Sequence, residues 1–390
     1  MKAVLVLDDD PAVRLLMSRS LASAGVDVVS CHEIEAAEAM LDCRTFEAVV
    51  TDLAVSERGG LEGMRLIRHV AAQYPETRVV AISGVIDDRI DSLGQSMGAH
   101  AVLQKPVDLR TMHEAVLGTA ARAASPGRVL DLEPLDAVLR GSRIRAVLQP
   151  ICEVAGAGPY RVHAVEALAR VVQESPLYNP GLLFEYAVRK DRVFEVDRRC
   201  ISAALNEAQF LPEGTRLFVN AHPQSMQNPQ FASVVTEMVR QAGIDSSRVV
   251  IEVTEQHTIG DPHVFARKLD ALRERGFGLA LDDYGSGFAN LHLLMALKPE
   301  YLKLSGLFLK GIDADPRRRT IVAATADMAN RLGIPVIVEW LETEAQRRVV
   351  AELGIPFAQG YYLAQPAPAA SLLQSDMVTF EPSAAAGIRS

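Results

Sequence analysis

Five polar residues in the first third of the sequence have the side chains needed for phosphoryl transfer. Each lies at the end of a short apolar segment or directly after it; they are Asp8, Asp9, Asp52, Ser83 and Lys105. Three carboxylates that lie close together repel one another unless a hard divalent cation such as Mg²⁺ binds between them. With that cation bound, Asp52 could attack a phosphoryl group, Ser83 could donate a hydrogen bond to the phosphate, and Lys105 could balance its charge.

A second set of polar residues lies between residues 149 and 359, where eight further apolar segments each carry a polar residue at or near the end. The residues that end these apolar segments, or in the case of Glu252 lie within one, are Gln149, Glu166, Asn220, Glu252, Asp282, Lys303, Glu339 and Gln359. Two further carboxylates, Glu255 and Glu342, follow closely. Oxygen-rich ligands with one amide favour Mg²⁺ or Mn²⁺ over zinc. The adjacent pair Asp282 and Asp283 suits two-metal hydrolysis of a phosphoester, because one carboxylate can bridge both ions while the other completes one shell.

Parallel β-sheets are the elements that could bring such widely spaced residues together. In the first 117 residues, apolar segments alternate with segments of helical period, which predicts five βα units around a doubly wound sheet. Eight more such units follow between residues 130 and 368, which predicts a TIM-type (β/α)8 barrel, so the chain is α/β in class. In both folds, residues at the carboxyl ends of the strands converge on one edge or rim.

The two predicted domains meet at a short connection that contains Ser125, Pro126 and Gly127. Proline and glycine together indicate a boundary rather than a helix interior. We assign residues 1–120 to the first domain, 121–140 to a linker, 141–375 to the second domain and 376–390 to a tail.

Length and composition exclude several classes of protein. The chain has 390 residues, of which 49% are hydrophobic and 23% charged, which is typical of a globular protein of two or three domains. A net charge of −9 argues against a nucleic-acid polymer as the partner. No apolar segment approaches the roughly 18 to 20 residues that cross a bilayer, and the first residues lack a signal-peptide pattern. We therefore expect a cytoplasmic protein with no membrane partner.

The segments around the first set of polar residues resemble the receiver domain of bacterial response regulators. LVLDDDP, VVTDLAVS, AISG and LQKP stand where that family carries its acidic pair, phosphoacceptor, hydroxyl and lysine. The resemblance implies that Asp52 is the phosphoacceptor, that one Mg²⁺ binds beside it, and that a sensor histidine kinase is a partner. The alternative is a receiver-like domain that only mediates association.

The segments around the second set resemble the EAL-domain cyclic di-GMP phosphodiesterases. The matching segments are VEALAR, FVN, IEVTE, DDYGSGFANL, YLKL, VEWLE and QGYYLAQP, and they span the second domain. The resemblance implies that a water held between two Mg²⁺ or Mn²⁺ ions attacks cyclic di-GMP in line and gives linear pGpG. The implied metal ligands are Glu166, Asn220, Glu252, Asp282, Asp283 and Glu339.

The resemblance also implies roles for residues around the metals. Lys303 and Glu339 are alternatives for the general base, and Glu166 completes the catalytic set. The residues implied to contact substrate or water are Arg170, Gln149, Gln359 and Glu342. Glu255 would anchor residues 284–290, which match the family's catalytic and dimerisation loop, so we expect a homo-oligomer.

Two positions of the second domain depart from the pattern of the EAL family. Ser305 replaces the Asp expected two residues after Lys303, and Trp340 replaces the Gly expected after Glu339. Trp340 could pack in the barrel, narrow the guanine pocket or displace Glu339. Two hypotheses follow: a phosphodiesterase controlled by phosphorylation of Asp52, or a catalytically degenerate EAL domain that acts as a cyclic di-GMP sensor or protein-interaction module.

Overall fold

The computed structural model describes residues 3–53, 62–84, 88–118, 125–156, 158–171, 177, 179–254, 260–286 and 291–380. The chain forms two compact units. The first comprises Met1–Arg143 and Val171–Arg192, and the second comprises Ile144–Arg170 and Val193–Ser390. Among the described helices, none combines the length and apolar composition that a bilayer-spanning helix requires.

The first unit is built on a parallel sheet with strand order β5-β4-β3-β1-β2-β6. Its strands are β1 Ala3–Leu7, β2 Asp27–Cys31, β3 Ala48–Asp52, β4 Arg78–Ser83, β5 Ala101–Gln104 and β6 Val129–Asp131. The strands read as nearly continuous apolar runs because helices cover both faces of a doubly wound sheet. The predicted five-stranded receiver sheet is confirmed, and β6 extends it at the edge of β2.

Strand β6 comes from residues assigned to a linker from the sequence. Asp131 fixes its end, since Ser30 Oγ donates a hydrogen bond of 2.6 Å and Arg14 Nε one of 3.1 Å to Asp131 Oδ1. Three residues are too few to show a strand period, which is why the pattern did not reveal this element.

The helices of the first unit are α1 Pro11–Ser23, α2 Ile34–Cys43, α3 Glu62–Gln73, α4 Asp88–Ser96, α5 Leu109–Leu117, α6 Leu135–Leu139 and α7 Pro180–Arg189. Helix α7 packs on α2 through charged groups. Arg189 Nη1 donates to Glu38 Oε2 at 3.0 Å, and Lys190 Nζ donates to Glu33 Oε2 at 2.8 Å. Glu38 is buried and also accepts two hydrogen bonds from Arg65.

The second unit is a closed eight-stranded barrel in which β8 pairs with both β7 and β9. Its strands are β7 Ile144–Glu153, β8 Tyr160–Val171, β9 Arg216–Asn220, β10 Val249–Thr254, β11 Gly278–Tyr284, β12 Tyr301–Leu304, β13 Val336–Val338 and β14 Phe357–Ala358, and β15 Val378–Thr379 pairs outside the ring. Its helices are α8 Val193–Ala208, α9 Pro223–Met226, α10 Phe231–Gln241, α11 Pro262–Arg273, α12 Leu291–Leu297, α13 Pro316–Arg331, α14 Glu344–Glu352 and α15 Ala369–Leu372.

The predicted barrel is confirmed, with one difference in strand direction. Strand β7 runs antiparallel to β14, whereas the consecutive pairs from β8 to β14 are parallel. Only residues 154–159 separate β7 from β8. A connection this short can form a hairpin but cannot hold the helical crossover that parallel neighbours need.

One apolar layer of side chains crosses the barrel, and all of its members are buried except Phe357, which is partly buried. Each of the eight barrel strands contributes one residue: Ile151, Ala164, Phe218, Val250, Ala280, Tyr301, Ile337 and Phe357. Within it, the rings of Phe218 and Tyr301 meet edge to face with centroids 5.0 Å apart. Because residues two apart on a strand share a face, this apolar layer determines which residues form the layer above it.

Candidate functional site

The polar residues predicted from the sequence form the next layer of the barrel. Two positions beyond the apolar layer on β8 to β14 lie Glu166, Asn220, Glu252, Asp282, Lys303, Glu339 and Gln359. On the antiparallel strand β7 the equivalent residue is Gln149, two positions before Ile151. The strand period therefore gathers the predicted residues at one rim.

Lys303 lies at the centre of this layer and is completely buried. Its Nζ lies within ion-pair distance of four carboxylate oxygens: Glu166 Oε2 at 3.1 Å, Glu252 Oε1 at 2.8 Å, Asp282 Oδ1 at 2.9 Å and Glu339 Oε1 at 3.2 Å. Burial alone would lower the pKa of Lys303, but these carboxylates raise it well above its usual range. Lys303 is thus a fixed cation that holds the carboxylates together.

The carboxylates exceed the charge that one lysine can offset. Burial, followed by repulsion from neighbouring carboxylates, raises the pKa of Glu252 and Asp282, and raises that of Glu339 to about 8. Burial also acts to raise the pKa of Glu166, but Lys303 and hydrogen bonds from neighbouring amides outweigh it and lower the value. The layer therefore favours additional bound positive charge.

The donor set fits divalent cations that prefer oxygen ligands. Glu252 Oε2 is buried, and no described residue donates a hydrogen bond to it. Asn220 Nδ2 donates to Glu166 Oε1 at 2.8 Å, which orients the amide beside the carboxylates. Buried carboxylates together with an amide oxygen are ligands that Mg²⁺ and Mn²⁺ accept.

An irregularity in β11 presents two consecutive carboxylates. The register between β11 and β12 shifts between Leu281 and Tyr284, and Asp283 has a φ of 54°. Neighbouring residues of a regular strand point to opposite faces, so a bulge is needed to redirect one of them. Asp282 lies among the ion pairs of Lys303, and Asp283 is close enough to raise the pKa of Asp282 and Glu339 by charge repulsion.

Two glutamines complete the buried part of the site. Gln359 Nε2 donates to Glu166 Oε2 at 2.7 Å and to Gln149 Oε1 at 2.9 Å, and Gln149 Nε2 donates to the Ala364 carbonyl at 3.1 Å. Gln359 Oε1 is buried, and no described residue donates a hydrogen bond to it. This oxygen is suited to accept a hydrogen bond from a ligand or water.

A cavity of about 360 Å³ opens beside this layer. Its lining residues are Gln149, Glu166, Leu168, Arg170, Glu339, Trp340, Glu342, Gln359, Gly360, Tyr361 and Pro366. Arg170 is half-buried and Glu342 is exposed at the edge, so the cavity combines a cation, carboxylates and aromatic rings. Trp340 and Tyr361 are exposed, which argues against barrel packing, one of the three alternatives for Trp340.

Two predicted features fall partly or wholly outside the described residues. Glu255, the predicted loop anchor, belongs to residues 255–259, and the predicted catalytic loop is described only up to residue 286. Ser305, the other departure from the family pattern, is buried directly ahead of a short 3₁₀ helix at Gly306–Phe308.

The five residues predicted in the first unit also converge. Ligand atoms of Asp8, Asp9 and Asp52 all lie within 4.8 Å of one another, a spacing that could hold a metal ion. Lys105 Nζ donates to Asp8 Oδ2 at 3.0 Å and to Asp52 Oδ2 at 2.7 Å. Burial raises the pKa of Asp8, and Ser83 lies buried at the end of the neighbouring strand β4.

One buried carboxylate that supports the barrel site is not among the residues predicted from the sequence. Asp197 lies on α8 with no exposed surface, and its Oδ2 accepts a hydrogen bond of 3.0 Å from the His222 backbone N–H. His222 follows Asn220 by two residues, so Asp197 ties down the loop behind the amide. Burial raises the pKa of Asp197 to about 7. An acidic residue between Val196 and Cys200 on an otherwise apolar helix face was the available signal.

Comparisons with known proteins agree with this geometry. The EAL domain family matches residues 133–366, and the response regulator receiver domain family matches residues 4–117. The cyclic di-GMP phosphodiesterase RocR of Pseudomonas aeruginosa is 27% identical over 384 residues, which cover 94% of this chain and 96% of RocR.

Solved structures resemble the barrel. The Klebsiella pneumoniae BlrP1 manganese/cy-diGMP complex is 30% identical with a TM-score of 0.53, and the match covers 59% of this chain and 57% of BlrP1. The EAL enzyme Bd1971, in its cAMP- and cyclic-di-GMP-bound form, has a TM-score of 0.56 over 62% of this chain and 66% of its own. At 20% identity, the second match concerns the fold alone.

Proposed function

Because this chain belongs to the EAL domain family and carries a response regulator receiver domain ahead of its EAL domain, we propose that it hydrolyses cyclic di-GMP to linear pGpG. We further propose that two Mg²⁺ or Mn²⁺ ions serve the reaction and that phosphorylation of Asp52 controls its rate. RocR, a cyclic di-GMP phosphodiesterase, aligns along nearly the whole chain and supports this assignment.

The buried carboxylates around Lys303 support hydrolysis most directly. Four of them lie within 3.2 Å of one ammonium group, which leaves an excess of negative charge at the edge of a cavity. A domain that only bound other proteins would have no need for this concentration of buried charge, because buried charges are costly unless they are compensated.

The proposed metal ligands divide into two overlapping sets. Glu166, Asn220, Glu252 and Asp282 would hold one ion, and Asp282, Asp283 and Glu339 would hold the other. Bound there, the two ions would lower the pKa of a water molecule and offset the charge of the phosphodiester.

The remaining residues orient the reaction. Lys303 fixes the carboxylates, and Gln359 offers its Oε1 atom to the attacking water or the nucleotide. Arg170 lines the cavity and can donate to a phosphate oxygen, while Glu342 contacts substrate at the edge. Glu339 fits the role of general base better than Lys303, because the surrounding carboxylates raise the pKa of Lys303 and a protonated amine cannot accept the proton of the attacking water. A pH–rate profile tests this assignment, because Lys303→Arg keeps the cation and should retain the acidic limb of the profile, whereas Glu339→Gln removes the carboxylate and should abolish that limb.

Product analysis tests the proposed hydrolysis. Incubating the full chain with cyclic di-GMP and Mn²⁺ or Mg²⁺, followed by chromatography, is expected to yield pGpG. Glu166→Gln should reduce turnover at least 100-fold. Glu237→Gln is the matched control, because this exposed glutamate on α10 bonds to Arg240 and Gln241 and should leave the rate unchanged. Binding of cyclic di-GMP without product would instead support the sensor hypothesis, and no thermal shift with nucleotide or metal would support a scaffold.

Control by the receiver domain requires its own experiment. Asp52 bonds to Lys105 and lies beside Asp8 and Asp9, which supports phosphorylation with a sensor histidine kinase as the physiological donor. A small phosphodonor with Mg²⁺ should add one phosphoryl mass to the wild type but not to Asp52→Asn. Asp27→Asn should still be labelled, because Asp27 begins β2 at the opposite end of the sheet. Equal turnover before and after labelling would contradict control by phosphorylation.

A further inference from the structure

The only tryptophan of the chain lies beside the cavity with most of its surface in solvent. Trp340 directly follows Glu339, and its relative exposure is 56%. A tryptophan that served barrel packing would be largely buried, because large aromatic side chains stabilise a fold through the area they remove from water. An exposed ring in the wall of a concave site instead provides surface for a ligand.

The backbone of Trp340 adopts a conformation that favours glycine. Its φ is 56°, in the left-handed region where a bulky residue is rare and strained. The flanking peptide groups hold this conformation: Glu339 N donates to Leu304 O at 3.2 Å, and Leu341 N donates to Gln359 O at 3.0 Å. The indole therefore projects from a strained loop that hydrogen bonds hold in place. Strain that the surrounding structure maintains in this way is typical of functional sites.

Gly306 provides the space that the indole occupies. A Cβ atom built on Gly306 would lie 2.2 Å from Trp340 Cγ and 2.4 Å from Trp340 Cβ. Any other residue at position 306 would displace the ring, so these two positions are complementary. The backbone of Gly306 supports one side of the indole while more than half of Trp340 stays accessible.

We propose that Trp340 is the platform on which a guanine base of the bound dinucleotide stacks, and that it helps determine affinity for the substrate. This inference rests on the proposed function. Arg170 and the carboxylate layer account for phosphates and cations, but a purine also presents a flat apolar face. Aromatic side chains bind such faces by stacking, and indole has the largest ring system among them. Tyr361 lines the same cavity and is also exposed, so a second aromatic surface is available.

Intrinsic fluorescence tests the contact without a label, because Trp340 is the only tryptophan. Cyclic di-GMP is titrated into the full chain in EDTA, which prevents metal-dependent turnover, and calorimetry measures the Kd under the same conditions. Stacking predicts saturable quenching with the same midpoint as the calorimetric Kd. Unchanged fluorescence during calorimetric binding would overturn the role of Trp340 and leave the proposed function standing.

Substitutions separate stacking from a structural role. Trp340→Gly removes the indole but suits the backbone conformation, and it should raise the Kd and KM about tenfold or more with kcat nearly unchanged. Trp340→Phe should restore most of the affinity. Gly306→Ala displaces the ring without removing it, and it should weaken binding in the same direction. The control is Phe210→Ala, since Phe210 is also exposed but follows α8, at the end of the barrel opposite the site.

The outcomes of these experiments distinguish the role of Trp340 from the proposed hydrolysis of cyclic di-GMP. Wild-type affinity in Trp340→Gly, or a loss of kcat and thermal stability at constant KM, would show that the indole is structural. If the wild type neither binds cyclic di-GMP nor yields pGpG, both the proposed function and the role of Trp340 are wrong.

Discussion

The substitution Asp197→Asn should change how the stability of the barrel depends on pH. Burial raises the pKa of Asp197 from its ordinary value of 3.8 to about 7 in the folded protein. Between these values the folded state keeps a proton that the unfolded chain releases, so the free energy of unfolding falls as pH rises from about 4 to about 7. Above pH 7 both states are ionised and the contribution of this group is constant.

The size of the effect follows from proton linkage. The free energy of unfolding changes by about 1.4 kcal/mol for each pH unit over which the folded and unfolded states differ by one bound proton. Because of Asp197, the free energy of unfolding of the wild type should therefore fall by on the order of 3 kcal/mol as the pH rises from 5 to 8. An asparagine cannot ionise, yet its Oδ1 atom can still accept the hydrogen bond from the His222 N–H. Relative to the wild type, Asp197→Asn should gain about this amount of stability across the same pH interval.

Guanidinium denaturation at pH 5, 6, 7 and 8 measures this difference. Fluorescence of Trp340 follows the barrel unit, circular dichroism follows the whole chain, and EDTA removes any contribution from metal binding. Asp261→Asn is the matched control, because hydrogen bonds from two backbone N–H groups at the start of α11 lower the pKa of Asp261. Its ionisation is complete above pH 5 in both states. Parallel stability curves for Asp197→Asn and the wild type would refute the reasoning.

Three further substitutions probe other parts of the structure. Lys303→Met removes the cation among four carboxylates and should lower the melting temperature in EDTA by more than it does in excess Mn²⁺, as scanning fluorimetry would measure. Glu38→Gln weakens the charged contact to Arg189 and should destabilise the first unit by about 1–3 kcal/mol in chemical denaturation. Gly360→Ala should reduce kcat in the chromatographic assay, because its Cβ would lie 2.2 Å from the Leu341 backbone. An unchanged melting temperature, free energy of unfolding or kcat would contradict the structural reason given for the corresponding substitution.

The polar layers were predictable from sequence because both sheets are mainly parallel. Residues such as Asp52 and Glu252 are far apart in the chain but lie at the carboxyl ends of strands, and that edge is shared in a parallel sheet. The fold and the convergence of both predicted sites therefore followed from counting strands and the residues at their ends.

The features that were missed depend on contacts between distant segments. Strand β6 exists because Val129 and Leu130 pair with β2, and three residues carry no period of their own. The reversed direction of β7 reflects its short connection to β8, which a pattern of eight parallel βα units does not anticipate. The left-handed backbone of Trp340 depends on its neighbours. The domain boundaries, the homo-oligomer and the cytoplasmic location stay predictions.

The apolar layer of the barrel explains how so much charge can be held in place. Tyr301 lies two residues before Lys303 on the same strand, with its hydroxyl 3.0 Å from His163 Nε2 and its ring against Phe218. A packed floor of this kind fixes the strands from which the carboxylates project, so their positions do not depend on their mutual repulsion. Rigid support from regular elements is what a site needs to hold its ligands within a few tenths of an ångström. The mutual repulsion of the carboxylates disfavours the folded state, and these carboxylates lie directly above the apolar layer, whose packing offsets that repulsion.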